Sequence, residues 1–111
     1  MVQLIISCEI PIRYLRNVEY PHPIGIVIGS SAIINENVVI YQNVTIGRSK
    51  NYCTNECPII ENNVIIYAGA VIVGNVRIGT GSIIGANSVV TKSVAPNSVV
   101  FGYNKTKIKN M

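Results

Sequence analysis

The chain is poor in charge and poorer still in catalytic groups. Charged residues fill 13% of its 111 positions, about half of the roughly 25% usual in soluble domains, which excludes a disordered or charge-block protein. It has no tryptophan, a single histidine (His22) and no aspartate, its acids being Glu9, Glu19, Glu36, Glu56 and Glu61. One histidine excludes a three-histidine zinc centre. The cysteines are three, Cys8, Cys53 and Cys57, an odd number in a chain whose first six residues lack the basic start of an export signal. A disulfide framework is therefore not expected, and reduced thiols in a cytoplasmic protein are. The C-x3-C spacing of Cys53 and Cys57 has no second ligand pair, so no metal is expected either.

Long apolar runs are also missing. The longest, residues 64–73, contains Gly69 and falls well short of the roughly 18 residues that a membrane span needs. No membrane association is expected, despite a mean hydropathy of +0.39 and 49% apolar residues. The net charge is +4, but the basic residues are dispersed apart from Lys105, Lys107 and Lys109. A nucleic-acid groove calls for a denser basic stripe with interleaved aromatics, so no nucleic-acid partner is expected.

What the sequence has is a repeat of six. Aliphatic anchors stand at Ile28, Ile34, Ile40 and Ile46, then at Ile60, Ile66, Ile72, Ile78, Ile84 and Val90. Four places after each comes a small or β-branched residue (Ala32, Val38, Val44, Val64, Ala70, Val76, Ser82, Ser88 and Val94), with Lys50 the exception. The third place reads Ser31, Asn37, Asn43, Ser49, Asn63, Gly69, Asn75, Gly81, Asn87 and Ser93. Ser, Asn and Gly together are about 27% of the chain, so ten of ten is a chance of about two in a million. These residues accept positive φ or bond their own backbone in a tight turn, so each hexad carries a corner. A helix of period 3.6 or a hairpin sheet of period 2 gives no such pattern.

A short strand and a corner every six residues make an all-β solenoid, a hexapeptide-repeat parallel β-helix with three hexads per coil and coils about 4.8 Å apart. Between Ile46 and Ile60 lie one hexad and eight further residues, and the repeat resumes in phase at Pro58-Ile59-Ile60. Residues 48–57 (RSKNYCTNEC) are therefore expected to form one extruded loop. No hexad is legible before Pro21. The chain divides into an irregular N-terminal segment (1–20), a β-helix domain (21–102) and a C-terminal tail (103–111). The solenoid's open ends and flat apolar faces favour self-association, most naturally about a three-fold axis.

His22 stands where the irregular segment meets the first clear hexad. It is the one side chain of the type that takes and gives protons near neutral pH. Around it, Pro21-His22-Pro23-Ile24-Gly25-Ile26-Val27-Ile28-Gly29 and Tyr41-Gln42-Asn43-Val44-Thr45-Ile46-Gly47 resemble the H-x-x-G-I-V-[VI] and Q-x-V-T-[IL]-G motifs of serine acetyltransferases and their hexapeptide-repeat relatives. Ile66-Tyr67-Ala68-Gly69-Ala70 resembles their I-G-A-G-A turn, and Ile84-Gly85-Ala86-Asn87-Ser88-Val89-Val90-Thr91-Lys92 their I-G-A-x-S-V-V-x-K coil.

The resemblance implies a left-handed β-helix homotrimer that binds acetyl-CoA between neighbouring subunits and passes acetyl directly to an acceptor hydroxyl. It makes His22 the general base. It makes Glu9, in Glu9-Ile10-Pro11, the acid that orients His22, at a spacing about two residues short of that in relatives, with Glu19 as the fallback. Gly47, Ala68 and Ala86 are then small residues that let the cofactor approach the wall, and Lys92 is the cation for a CoA phosphate. Cys57 stands where serine acetyltransferases carry a second histidine, and neither their helical N-terminal domain nor their G-V-P-A-K close is present. The acceptor is therefore serine or, alternatively, a sugar hydroxyl of surface polysaccharide assembly. A non-catalytic trimeric scaffold is the remaining alternative.

Overall fold

The computed structural model describes residues 2–3, 8–48 and 57–109. All ten aliphatic anchors are buried, and so are the nine residues four places after them, from Ala32 to Val94. Alternation along each short strand sends one residue inward and the next outward. The hexad repeats this, so the inward residues stack into one continuous core. Two serines in that core are satisfied: Ser82 Oγ donates to the Ala95 carbonyl at 3.0 Å and accepts the Ser98 N–H at 3.2 Å, and Ser88 Oγ donates to the Val100 carbonyl at 3.4 Å.

The strands form three sheets, the faces of a prism. On the first face Glu9–Ile10, Val27–Ile28, Thr45–Gly47, Val71–Val73 and Val89–Val90 run parallel, with Val2–Gln3 antiparallel at the start. The second face stacks Val18–Glu19, Val38–Ile40, Ile65–Ile66, Ile83–Ile84 and Ser98–Phe101 in parallel, with Lys105–Ile108 folded back antiparallel at the end. Three strands, Ile33–Ile34, Ile59–Ile60 and Arg77–Ile78, make the third face. One coil takes 18 residues, as from Val27 to Thr45 and from Val71 to Val89. Across the interruption the step is 26, from Thr45 to Val71 and from Ile33 to Ile59, so the register resumes after eight extra residues. Residues 49–56 of the expected loop, Cys53 among them, lie outside the described residues.

The corners follow the sequence at two edges of the prism and depart from it at the third. Between the third and second faces the backbone turns through positive φ at Asn37, Asn63 and Gly81, and between the second and first faces at Asn43, Gly69 and Asn87. At the edge between first and third faces, Ser31, Asn75 and Ser93 keep negative φ, and Gly74 takes the positive value instead (φ 96°). A serine corner works by a bond rather than by a left-handed residue: Ser93 Oγ accepts the Arg77 N–H at 3.0 Å.

The segment before residue 21, which shows no hexad, nevertheless supplies strands to two faces. Glu9 pairs with Val27 and Val18 with Val38. At this level the third face has no strand, and a 3-10 turn, Ile12–Tyr14, stands in its place. There the Tyr14 phenol donates to the Ala32 carbonyl at 2.8 Å and accepts the Ile34 N–H at 3.0 Å, while Arg13 donates to the Ser30 and Ala32 carbonyls. Side chains thus satisfy an edge that the six-residue pattern leaves open. The Tyr20 phenol donates to the Tyr14 carbonyl at 2.8 Å, and burial pushes its pKa well above the ordinary value of 10.0. The segment after residue 102 likewise returns to the wall, with Tyr103 bridging to Val89.

Three outcomes test this account. Ile66→Ala removes a fully buried side chain and costs about 2–5 kcal/mol by chemical denaturation. Gly69→Ala puts a Cβ at φ +74°, against Asn87 Oδ1 of the next coil, and costs about 1–3 kcal/mol in backbone strain; in Gly47→Ala the new Cβ meets, among the described residues, only a Val73 methyl at 3.9 Å and the cost is small. The Glu61 carboxylate accepts from Arg77 at 2.7 Å and from the Thr80 N–H at 3.0 Å, and these bonds hold its pKa below the ordinary 4.5. A lowered folded pKa stabilises above the ordinary value and is lost as pH falls through it, so the stability difference between native chain and Glu61→Gln is present at pH 7 and shrinks below about pH 4.

Candidate active site

The edge between the second and first faces holds His22, Ala68 and Ala86, three of the six candidate residues. Its corners are Tyr41-Gln42-Asn43, Tyr67-Ala68-Gly69 and Gly85-Ala86-Asn87, one above another. In each, six residues separate the paired strand positions, as from Val39 to Thr45. At the N-terminal end the step from Glu19 to Val27 is eight, and His22 lies in this enlarged corner. Two prolines flank it. The Ile24 N–H closes a tight turn onto the His22 carbonyl at 2.7 Å, the Cys8 thiol donates to the Pro23 carbonyl at 3.0 Å, and the Ile24 carbonyl accepts the Asn43 N–H at 2.8 Å. The backbone is therefore pinned on both sides while the imidazole stays exposed.

Two tyrosines continue from the imidazole. The His22 ring lies 6.4 Å from the ring of Tyr41, tilted by 44°, and Tyr41 stacks on Tyr67 at 4.9 Å and 24°. That separation is the spacing of the coils, so the rings repeat the rise of the strands. Beside Tyr41, the Oε1 atom of Gln42 is buried with no hydrogen-bond partner among the described residues. The sequence motifs include both tyrosines and Gln42 but give none of them a role in the site. A signal was present: Ile40-Tyr41 and Ile66-Tyr67 put an aromatic at the same place after two anchors.

Ala68 and Ala86 sit on this same edge, and neither amide N–H donates to a carbonyl among the described residues. The Gly69 N–H bonds to the Gln42 carbonyl at 3.0 Å and the Asn87 N–H to the Ala68 carbonyl at 2.9 Å. The corners are thus anchored one residue later, and the alanine amides are left for an outside acceptor. Gly47 and Lys92 are elsewhere. Gly47 ends the first-face strand Thr45–Gly47, Lys92 follows Val89–Val90, and both lie toward the edge shared with the third face. One chain therefore gathers His22, Ala68 and Ala86, and sets Gly47 and Lys92 across the width of a face from them.

Neither carboxylate candidate reaches the imidazole. Glu9 is exposed in register with Val27, Glu19 is exposed in register with Val39, and no hydrogen bond or ion pair joins either to His22. Cys57 is buried next to Gly29, on the edge of Gly47. Among the described residues no three His, Cys, Asp or Glu side chains come together as a metal site would require.

Comparison with known proteins agrees with the fold. The family described as "Bacterial transferase hexapeptide (six repeats)" matches residues 57–92. A serine acetyltransferase of Staphylococcus aureus strain Mu50 is 46% identical over 81 residues, 73% of this chain and 38% of that protein. Soybean serine acetyltransferase, solved in complex with serine, superposes with a TM-score of 0.75 at 38% identity, covering 81% of this chain and 37% of that one. The serine acetyltransferase of Brucella abortus strain S19, solved with coenzyme A, gives 0.76 at 38% identity over 82% of this chain and 36% of that one. The chain spans little more than a third of the length of each of these relatives. In sequence and architecture it is a serine acetyltransferase-like hexapeptide-repeat protein, folded as a left-handed parallel β-helix.

Proposed function

We propose that this chain is the catalytic β-helix of an acetyl-CoA-dependent O-acetyltransferase, with serine as the acceptor. The observation that carries the reading is the single edge on which a pinned, exposed His22 stands in line with the amides of Ala68 and Ala86, unpaired among the described residues. A hydroxyl is a poor nucleophile until a base takes its proton. His22 accepts that proton as the acceptor oxygen attacks the thioester carbonyl. The tetrahedral oxyanion then collapses, expels the CoA thiolate, and the imidazolium returns the proton to sulfur. Backbone N–H groups along the edge hold the amide carbonyls of the pantetheine arm, whose length runs with the prism axis.

The placement of Gly47 and Lys92 supports a homotrimer. Both flank the first face, opposite the His22 edge, so a groove between neighbouring subunits would unite one chain's His22 edge with the next chain's Gly47 and Lys92. In that groove Lys92 meets a CoA phosphate. A sugar hydroxyl is the second acceptor we propose, favoured by the Tyr41–Tyr67 stack beside His22, because aromatic faces offer a sugar ring an apolar surface. Loss of the family's second histidine at Cys57 points the same way.

The test is CoA release from acetyl-CoA by the full chain, with L-serine or a panel of sugars. Serine-dependent release that falls by about 10²–10⁴ in His22→Ala, the usual worth of a general base, supports the reading. Release with sugars alone moves the acceptor to the second class. Undiminished transfer in His22→Ala removes the base assignment, and silence with all acceptors together with no acetyl-CoA binding leaves a scaffold.

A further inference from the structure

The second face carries a column of outward residues that nothing in the acetyl-transfer reading uses. Strand register aligns Glu19 with Val39, Val39 with Ile65, Ile65 with Ile83, Ile83 with Val99, and Val99 with Lys107. The four aliphatics are half-exposed and the two charges are exposed; Glu19 and the aliphatics each stand beside a buried inward neighbour, from Val18 to Val100, whereas Lys107 lies on a strand exposed along its whole length. Six rungs at strand spacing put the end charges about 24 Å apart. From either end the column reads charge, valine, isoleucine, isoleucine, valine, charge. Only the sign of the end residue changes.

That symmetry selects a partner. We propose that the second face is a self-pairing surface, on which two copies of the chain stack antiparallel about a two-fold axis, Glu19 of each against Lys107 of the other. The axis passes between the Ile65 and Ile83 rungs. Ile65 then faces the partner subunit's Ile83, and Val39 the partner subunit's Val99, so every rung meets its own kind and both end rungs meet opposite charge. A parallel stacking sets Glu19 against Glu19 and Lys107 against Lys107, like charges that repel.

The acidic end has the shape to receive a lysine. Glu19 lines a concavity of about 460 Å³ together with Arg16, Asn17 and Asn37, and neither the Glu19 nor the Lys107 side chain has a hydrogen bond or ion pair among the described residues. Arg16 in the same wall opposes an incoming cation, while the Glu19 carboxylate and the side-chain amide oxygens of Asn17 and Asn37 are its acceptors. A two-fold contact is isologous, so one patch serves both partners. The strip is narrow beside the roughly 800 Å² per partner of a standard interface, so the pairing is reversible and belongs in a dilution series. It is separate from the three-fold association proposed above, which uses the first face.

Sedimentation of the full chain decides the question, read as gain in mass over the unit that persists at the lowest concentration: a doubling where that unit is one chain, and continued growth where it is the trimer, whose three second faces point outward. The native chain should gain mass. Glu19→Lys and Lys107→Glu should each weaken the association at least tenfold, and the chain carrying both changes should recover it. A one-to-one mixture of the two single variants should also recover it, because each cross-contact then joins Lys to Glu. Circular dichroism confirms the fold of each, and Glu19→Gln with Lys107→Gln replaces any variant that loses its sheet signal, with weakened association expected. A native chain that gains no mass up to about 100 µM, which is weaker than the micromolar range, overturns the proposal; so do single variants that associate as the native chain does, or a mixture that fails to recover.

Discussion

Everything in this molecule rests on the 18-residue coil. Parallel backbone ladders repeat only if each coil returns the same kind of residue to the same wall, because a slip of one residue turns every inward side chain outward. The isoleucine stack enforces that return: anchors from Ile28 to Ile84 are buried one above another, and a misplaced coil would expose them in water at roughly 1.5–3 kcal/mol each. The ladder resumes in register beyond the eight-residue interruption. A wall held this firmly tolerates irregular chain at its corners.

The candidate site draws on that tolerance. At the corner between Glu19 and Val27 the coil gains two residues, and there the sequence places two prolines and its one histidine. The turn at Ile24, the Cys8 thiol and the Asn43 amide hold the enlarged corner against the regular coils. Below it the regular coils offer a column of corners whose second amide, at Ala68 and Ala86, is unpaired among the described residues. The same periodicity that builds the core therefore spaces a line of donors along an edge, and a corner enlarged by two residues sets an imidazole at its head. The faces carry the other consequence. Outward residues align as strictly as inward ones, so a short run of sequence choices, from Glu19 to Lys107, becomes a geometric column.

The core was legible in the sequence because one period governs it. Both inward positions of each described hexad are buried, and the length of the interruption was readable from the gap between Ile46 and Ile60. The N-terminal coil was not legible, since Tyr14 and Arg13 close it with side-chain hydrogen bonds in place of a strand, and such bonds leave no period. The corners were half legible: Asn and Gly signalled left-handed turns correctly at two edges, whereas Ser31 and Ser93 turn by another means. Motif residues located His22, Ala68 and Ala86 on one edge. The pairing of Glu9 with His22 came from a motif two residues out of register with its relatives, and within the chain those side chains do not meet. The Tyr41–Tyr67 stack needed the 26-residue coil step to be seen, because neither residue is distinctive alone.

The claim on which the functional account turns is that the edge from His22 through Ala68 to Ala86 receives the acyl donor. The most direct measurement follows backbone amide resonances of the isotopically labelled chain while CoA is added. The account predicts saturable shifts at Ala68 and Ala86, with the His22 resonances moving in the same titration and the third face, at Ile33 and Ile59, left unmoved. Saturating CoA that leaves Ala68 and Ala86 in place, or that moves the third face instead, would contradict it.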